Sequence, residues 1–207
     1  MLEATAPTRV VFDIGNVLLH WDPRNLYRRI FKTEAEIEHF LTYVLPPEWN
    51  IEQDRGRSWH EAEEERIRLF PDFAAEIRAY RTRWIETVPG AVEGTVAILA
   101  ELKAAGVPLY AITNFAADTL EEAKRHYPFL ASSFIDMVVS GQEKLLKPGR
   151  EIFEVLLRRQ KLQAADCVFI DDSRANVAAA EALGFHALHF TTPEAFASDL
   201  RKLGFKL

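Results

Sequence analysis

The stretch Val10-Val11-Phe12-Asp13-Ile14-Gly15-Asn16-Val17 decides the fold. Three apolar, strand-favouring residues run into an acid and then a Gly-containing turn, the pattern of a buried strand that delivers a carboxylate to a loop. The same punctuation recurs downstream. Residues 107–112 form a second apolar run that ends at Thr113-Asn114, and Cys167-Val168-Phe169-Ile170 ends at Asp171-Asp172-Ser173. Weaker runs lie at 134–139 and 187–190. Helical stretches fill the gaps. Val96, Leu99 and Leu102 recur at three-residue intervals and stop at Gly106, Phe153, Leu156 and Leu157 mark another stripe, and the Ala-rich 176–183 stops at Gly184. Thr192-Pro193-Glu194 opens a last helix with Pro in its first turn. Strands alternating with helices of this length predict an α/β fold with a parallel sheet covered on both faces.

One region breaks the alternation. Residues 22–88 contain no convincing buried strand but predict helices at 34–44 and 60–70. Trp21, Trp49, Trp59 and Trp84 all fall in or beside it, Pro46-Pro47 and Pro71 punctuate it, and Pro89-Gly90 closes it. The reading is a helical domain at 21–88 inserted into a sheet domain made of 1–20 and 89–207.

Composition narrows the class. Over 207 residues, 48% hydrophobic and 27% charged content excludes disorder and fibrous repeats. The formal net charge of −6 offers no basic field for nucleic acid. A single cysteine, Cys167, cannot form an internal disulfide, which favours a reducing, cytoplasmic setting. Residues 1–7 read as no signal peptide, and no apolar run reaches the roughly 20 residues of a membrane span.

Open α/β sheets bind ligands beyond the carboxyl ends of their strands. Here those ends carry Asp13, Thr113-Asn114 and Asp171-Asp172. Carboxylates about 4 Å apart repel by roughly 4 kcal/mol per pair at an effective dielectric near 20. A divalent cation that prefers oxygen, Mg²⁺ above all, relieves this. Each acid alone could equally cap a turn or the next helix. Lys147, before Pro148 and a predicted helix, is either a solvated charge or a point charge aimed into the acids.

Taken together, these motifs resemble the haloacid dehalogenase superfamily. Phe12-Asp13-Ile14-Gly15-Asn16-Val17 is similar to its motif I, Ile112-Thr113-Asn114 to motif II, Lys147-Pro148 to motif III, and Phe169 to Ser173 with Asn176 to motif IV. The resemblance covers about residues 8–190 and implies a Rossmann-like parallel sheet. The insert after motif I resembles the helical cap of the first subclass. The Asp-x-Gly-Asn-Val form resembles a bacterial branch of sugar-phosphate phosphatases of the α-D-glucose-1-phosphate phosphatase type.

The resemblance implies a Mg²⁺-dependent hydrolase of small phosphate monoesters. By position, Asp13 is the nucleophile that forms an aspartyl-phosphate, and a carboxylate of ordinary pKa needs no base to attack. Asp172 is the metal-binding acid of motif IV, with Asp171 a second ligand and the Gly15 carbonyl and Asp13 completing the set. Thr113 and Asn114 bind phosphoryl oxygens, Lys147 orients Asp13 and balances charge, and Asn176 is placed to hold a metal-bound water. Gly15 departs from the pattern, because most phosphatases of the superfamily carry there an Asp that protonates the leaving group. General acid–base help is typically worth ~10²–10⁴ in rate. Glu52 and Asp54 in the insert are candidate replacements, and His20 and Asp22 are nearer in sequence.

Two rivals stand beside this. A 2-haloacid dehalogenase also attacks with Asp, needs no metal, and expels a halide that requires no proton. A catalytically weak binding protein would explain Gly15 but not Asp13, Lys147 and Asp172 together. The expected partner is a phosphorylated small molecule, with no nucleic acid and no membrane. Oligomeric state and the individual substrate are not legible.

Overall fold

A computed structural model describes residues 6–207, so most of the stretch read as lacking a signal peptide lies outside the described residues. Among the described residues seven strands form, β1 (Arg9–Phe12), β2 (Leu19–His20), β3 (Gly90–Ala91), β4 (Leu109–Thr113), β5 (Asp136–Val139), β6 (Cys167–Asp171) and β7 (His186–His189). Five of them make one sheet in the order β5-β4-β1-β6-β7, and every pairing in it is parallel. The apolar runs at 10–12, 107–112 and 167–170 became its three central strands, and the two weaker runs became its edges. β1 is in the middle because its last three residues are all apolar. Val10, Val11 and Phe12 are fully buried, and only a strand covered on both faces can hide three successive side chains.

The alternation along β1 sorts the two faces. Val10 and Phe12 join an apolar cluster with Leu99, Leu102, Phe196 and Leu200, from helices Glu93–Ala104 and Pro193–Lys202. Val11 turns to the opposite face, among Ile152, Phe153 and Leu156 of helix Arg150–Gln160. The Phe12 ring meets Phe196 edge-on with centroids 5.7 Å apart. Truncating so enclosed a ring to Ala costs roughly 3–5 kcal/mol.

From β1 the chain steps one way, to β4 and β5, and then returns to the other side of β1 for β6 and β7. The carboxyl ends of β1, β4 and β6 therefore border the crevice where the winding reverses, the place where such sheets bind ligands.

Residues 22–88 are helical throughout their regular structure, with helices Arg24–Tyr27, Glu34–His39, Pro47–Asp54, Trp59–Leu69 and Ala74–Thr82. Thr33 and Glu36 form a capping box that fixes the start of the second. The helix expected over 34–44 switches at Phe40 to a wider π-helical turn through Val44, which buries Phe40, Leu41 and Val44. β2 and β3 pair antiparallel at the two ends of the insert, Leu19 opposite Ala91 and His20 opposite Gly90. Two-residue strands carry no periodicity, so neither was foreseen. The insert shares its apolar cluster with the sheet, since Tyr27, Phe40 and Trp49 belong to the cluster of Val10 and Phe12. Among the described residues, no helix is long and apolar enough to cross a membrane.

Candidate active site

Asp13 follows the last residue of β1, and its backbone N–H continues the sheet ladder to the Ile170 carbonyl at 2.9 Å. Its side chain accepts from the Ile14 N–H at 2.7 Å and meets Lys147 Nζ at 2.8 Å. Lys147 Nζ also reaches Asp171 Oδ2 at 2.7 Å and the Ile112 carbonyl at 2.9 Å. Loop 144–149, strand β1 and strand β6 thus converge on one ammonium group. Lys147 is a buried charge and not a solvated loop residue.

Burial dominates the electrostatics. It pushes the Asp13 carboxyl up to about 7, against the pull of Lys147 and with a further push from Asp171. Burial alone would lower Lys147, but Asp13 and Asp171 outweigh it and hold the ammonium above its ordinary value. Lys147 stays charged at any physiological pH.

Asp171 and Asp172 part company. Both oxygens of the fully buried Asp171 are engaged, Oδ1 by the Ser173 N–H at 2.8 Å and Asn176 Nδ2 at 3.0 Å, and Oδ2 by Lys147 and by Asn176 Nδ2 at 3.0 Å. Its lone pairs are committed to protein donors, so the expectation of a metal ligand suits Asp171 less well than a role in fixing Lys147. Asn176, expected to hold a metal-bound water, instead spends its amide on Asp171. Asp172 turns outward, and its carboxyl is raised by partial burial and by Asp171.

One carboxylate oxygen each of Asp13, Asp171 and Asp172 lies within 4.8 Å of the other two. Three carboxylates share one lysine here. The Gly15 carbonyl beside them accepts no hydrogen bond among the described residues. This donor set, all oxygen and in excess of negative charge, fits Mg²⁺. Gly15 itself does not occupy the left-handed region. Asn16 does, at φ 54°, and its Oδ1 accepts from the Trp21 N–H at 3.0 Å.

The motif II residues divide their work. The Thr113 hydroxyl, at the end of β4, is buried with no hydrogen-bond partner in the protein. Asn114 has its amide committed, with Oδ1 accepting from the Lys147 N–H at 2.8 Å and Nδ2 donating to the Lys147 carbonyl at 3.0 Å. That two-point clamp ties β4 to the lysine loop. The Asn114 side chain therefore holds Lys147, and only its backbone is free for a phosphoryl oxygen.

Above these groups the insert and the sheet enclose a cavity of about 240 Å³. Its wall is largely apolar, with Leu19, Trp21, Ile51, Trp59, Trp84 and Phe115 prominent, and Gly15, Asn114, Asn50 and Asp54 supply polar atoms. Asp54 is half-buried at the end of helix Pro47–Asp54. Of the other acids considered, Glu52 is exposed beside Arg55 at 3.4 Å, and Asp22 accepts from the Arg24 N–H at 2.9 Å in a turn. His20 is exposed on β2. None of these three lines the cavity.

Sequence reasoning missed Asn50, Tyr80 and Ser140. The four-residue spacing of Asn50 and Asp54 was a signal that they share a helix face. Ser140 gave none, because the Asp54 carbonyl it binds lies 86 residues away.

Known proteins bear on this geometry. The chain is 29% identical over 199 residues to the sesquiterpene phosphatase astK of Aspergillus oryzae, covering 93% of this chain and 94% of that one. Its fold superposes with a TM-score of 0.76 at 23% identity on a haloacid dehalogenase-like hydrolase of Porphyromonas gingivalis, over 98% of this chain and all of the other. A family enzyme of Bacteroides thetaiotaomicron, solved with magnesium and inorganic phosphate, matches at a TM-score of 0.70 and 18% identity, over 90% and 95% of the two chains. The family model of haloacid dehalogenase-like hydrolases matches residues 8–184, which spans all four motifs. With Asp13, Thr113, Lys147 and the Asp171-Asp172 pair assembled where that order of motifs requires, the chain belongs to the haloacid dehalogenase-like hydrolases and is a phosphatase-like member of them.

Proposed function

We propose that the protein hydrolyses small phosphate monoesters in two steps through an aspartyl-phosphate on Asp13. The observation that carries this is the buried Asp13 carboxylate held 2.8 Å from Lys147, with the acids of β6 at its side. Asp13 attacks phosphorus and the bond to the ester oxygen breaks. Water then releases phosphate from Asp13. Lys147, pinned by Asp171 and by the Asn114 clamp, keeps Asp13 aligned and balances the charge of the transferring group. The Thr113 hydroxyl donates to a phosphoryl oxygen, as does the backbone of Asn114. Asp13, Asp172 and the Gly15 carbonyl are the residues that would hold Mg²⁺, with Asp171 behind them. The bound ion offsets the repulsion between carboxylate and phosphate.

On this reading residues 21–88 are a cap of the first subclass over a core of 1–20 and 89–207, with β2 and β3 as its two-stranded neck. The Asp-x-Gly-Asn-Val motif supports a sugar phosphate as substrate. The cavity wall favours a second class. A sugar needs a hydrogen-bond partner for each hydroxyl, and this wall is mostly aromatic and aliphatic. An apolar alcohol phosphate, the substrate class named for the Aspergillus oryzae relative, suits it better. A cytoplasmic setting is supported by the lone, buried Cys167, whose thiol burial pushes up to about 11.

The test is a release assay for inorganic phosphate with Mg²⁺ over sugar phosphates and prenyl monophosphates, run beside halide release from 2-haloacids. Phosphate release that EDTA stops and Asp13→Asn abolishes is expected. Halide release that survives EDTA would establish the dehalogenase reading instead.

A further inference from the structure

Gly15 leaves an open volume. A Cβ built at this position meets nothing within 4 Å, although the residue stands two positions past the nucleophile and borders the substrate cavity. No side chain of the sheet domain fills the space. The insert contributes Asp54 to the lining of the same cavity.

The placement of Asp54 is expensive for a purely structural carboxylate. It is the last residue of helix Pro47–Asp54, where the backbone carbonyls present negative charge and disfavour an acid. None of the groups that act on its charge is a cation. It is nonetheless held firmly. Asn50 Nδ2 donates to its Oδ2 at 3.0 Å, the Tyr80 hydroxyl donates to Asn50 Oδ1 at 2.7 Å, and the Ser140 hydroxyl donates to its backbone carbonyl at 2.5 Å. The last of these ties it directly to the sheet domain. Asn50 thereby anchors Oδ2, and Asp54 lines the cavity.

We propose that Asp54 is the catalytic acid and base that Gly15 cannot be, supplied to the Asp13 site from the insert. This rests on the phosphomonoesterase reading above. In the first step the Asp54 carboxyl gives its proton to the ester oxygen as the bond from phosphorus to that oxygen breaks and the bond to Asp13 forms, so the alcohol leaves neutral. In the second, the Asp54 carboxylate takes a proton from the water whose oxygen attacks phosphorus. Asp13 and phosphate separate, and Asp54 is again a neutral acid. The environment agrees with the first state. Burial raises the carboxyl well above its usual range, partly offset by the Ala116 N–H, and the Asp13 charge raises it further.

Leaving-group dependence tests the assignment, because only poor leaving groups need a proton. Wild-type kcat/KM should change little between aryl and alkyl phosphates. Asp54→Asn should lower kcat/KM for alkyl phosphates by ~10²–10⁴. For aryl phosphates it should hold kcat/KM within about tenfold while kcat falls, with a burst of the phenol, because hydrolysis of the aspartyl-phosphate still lacks its base. Gly15→Asp in the Asp54→Asn background should restore alkyl turnover, since the added side chain has room. Equal loss of kcat/KM for both substrate classes, or no loss in either, would overturn the role of Asp54. If Asp54→Asn does not fold, the wild type decides alone, and a steep fall in kcat/KM as the leaving group worsens would reject a positioned acid. Absence of all phosphatase activity in the wild type would instead defeat the reading of the site itself.

Discussion

Asp13→Asn should abolish turnover with Mg²⁺ and, at neutral to alkaline pH, make the metal-free protein more stable. Asp13 and Asp171 share Lys147, with distances of 2.8 and 2.7 Å, so the buried trio carries a net negative charge once both acids ionise. The folded protein answers by raising Asp13 from its ordinary 3.8 to about 7, chiefly through burial. The sign follows from linkage. A carboxyl with a raised folded-state pKa contributes fully below its unfolded value and loses that contribution as pH climbs to the folded value. Above pH 7 the wild type therefore bears an ionisation penalty with a ceiling of about 4 kcal/mol, at about 1.4 kcal/mol for each tenfold change in proton affinity. Asn is the same shape, carries no charge, and still offers an oxygen to Lys147, which retains Asp171. Urea denaturation in EDTA should show the two proteins close together near pH 4 and the variant ahead by roughly 2–4 kcal/mol at pH 8. Excess Mg²⁺ should favour the wild type and narrow the gap, by about 2.7 kcal/mol at a hundredfold excess over its Kd. A variant less stable than the wild type at pH 8, or a difference that does not change with pH, would refute the argument.

Three other outcomes follow from the same geometry. Asp172→Ala should weaken Mg²⁺ binding more than Asp171→Ala in calorimetric titration, whereas Asp171→Ala should cost on the order of 1–3 kcal/mol of stability by leaving the Ser173 N–H and the Asn176 amide without their buried acceptor. Equal effects of the two on both measurements would reject this division of labour. Asp118→Ala removes the acceptor for Trp59 Nε1 at 3.0 Å and Arg81 at 2.8 Å, two ties between insert and sheet domain. It should raise KM severalfold while changing stability by less than about 1 kcal/mol, and added salt should move the wild-type KM the same way. Trp84→Ala, which opens the apolar wall, should lower kcat/KM for prenyl phosphates more than for sugar phosphates, and the reverse order would restore the sugar-phosphate reading.

How much of this was legible in the sequence depends on the range of each interaction. β1, β4 and β6 were visible because each is a run of successive apolar residues that ends at a polar one, and burial on both faces imposes that form. Asp13 and Lys147 were placed by their positions relative to strand ends, and those positions survived folding. The motif resemblance ranked Asp172 above Asp171 as a metal ligand, but that Asp171 fixes Lys147 was not legible, because the sequence does not say which way Lys147 comes. Asn114 looked like a phosphate ligand, but its side chain is spent on a backbone 33 residues downstream. β2 and β3 were too short to show a period. Glu52 and Asp54 were equivalent in sequence. Their difference appears only when helix Pro47–Asp54 docks and turns one of them to water and the other to the cavity.

That docking also explains why the missing acid sits in the insert. The sheet-domain site already sets three carboxylates against one lysine, and a fourth at Gly15 would add repulsion of the kind that raises Asp13. An acid carried by the insert joins the cluster only where helix Pro47–Asp54 meets the loops at 115–116 and 140–144. The contact is close. Lys144 Nζ donates to the Gly56 carbonyl at 2.8 Å, and Gly56, at φ 92°, stands where any Cβ would strike Lys144 and the Gly141 carbonyl. Burial is the largest influence raising the Asp54 carboxyl, so this contact favours its protonated form. Any substitution at Gly56 should then act like a partial loss of Asp54, slowing alkyl phosphates more than aryl ones even though residue 56 touches no reacting atom. Equal slowing of both classes by Gly56→Ala would separate the docking of the insert from the delivery of the proton.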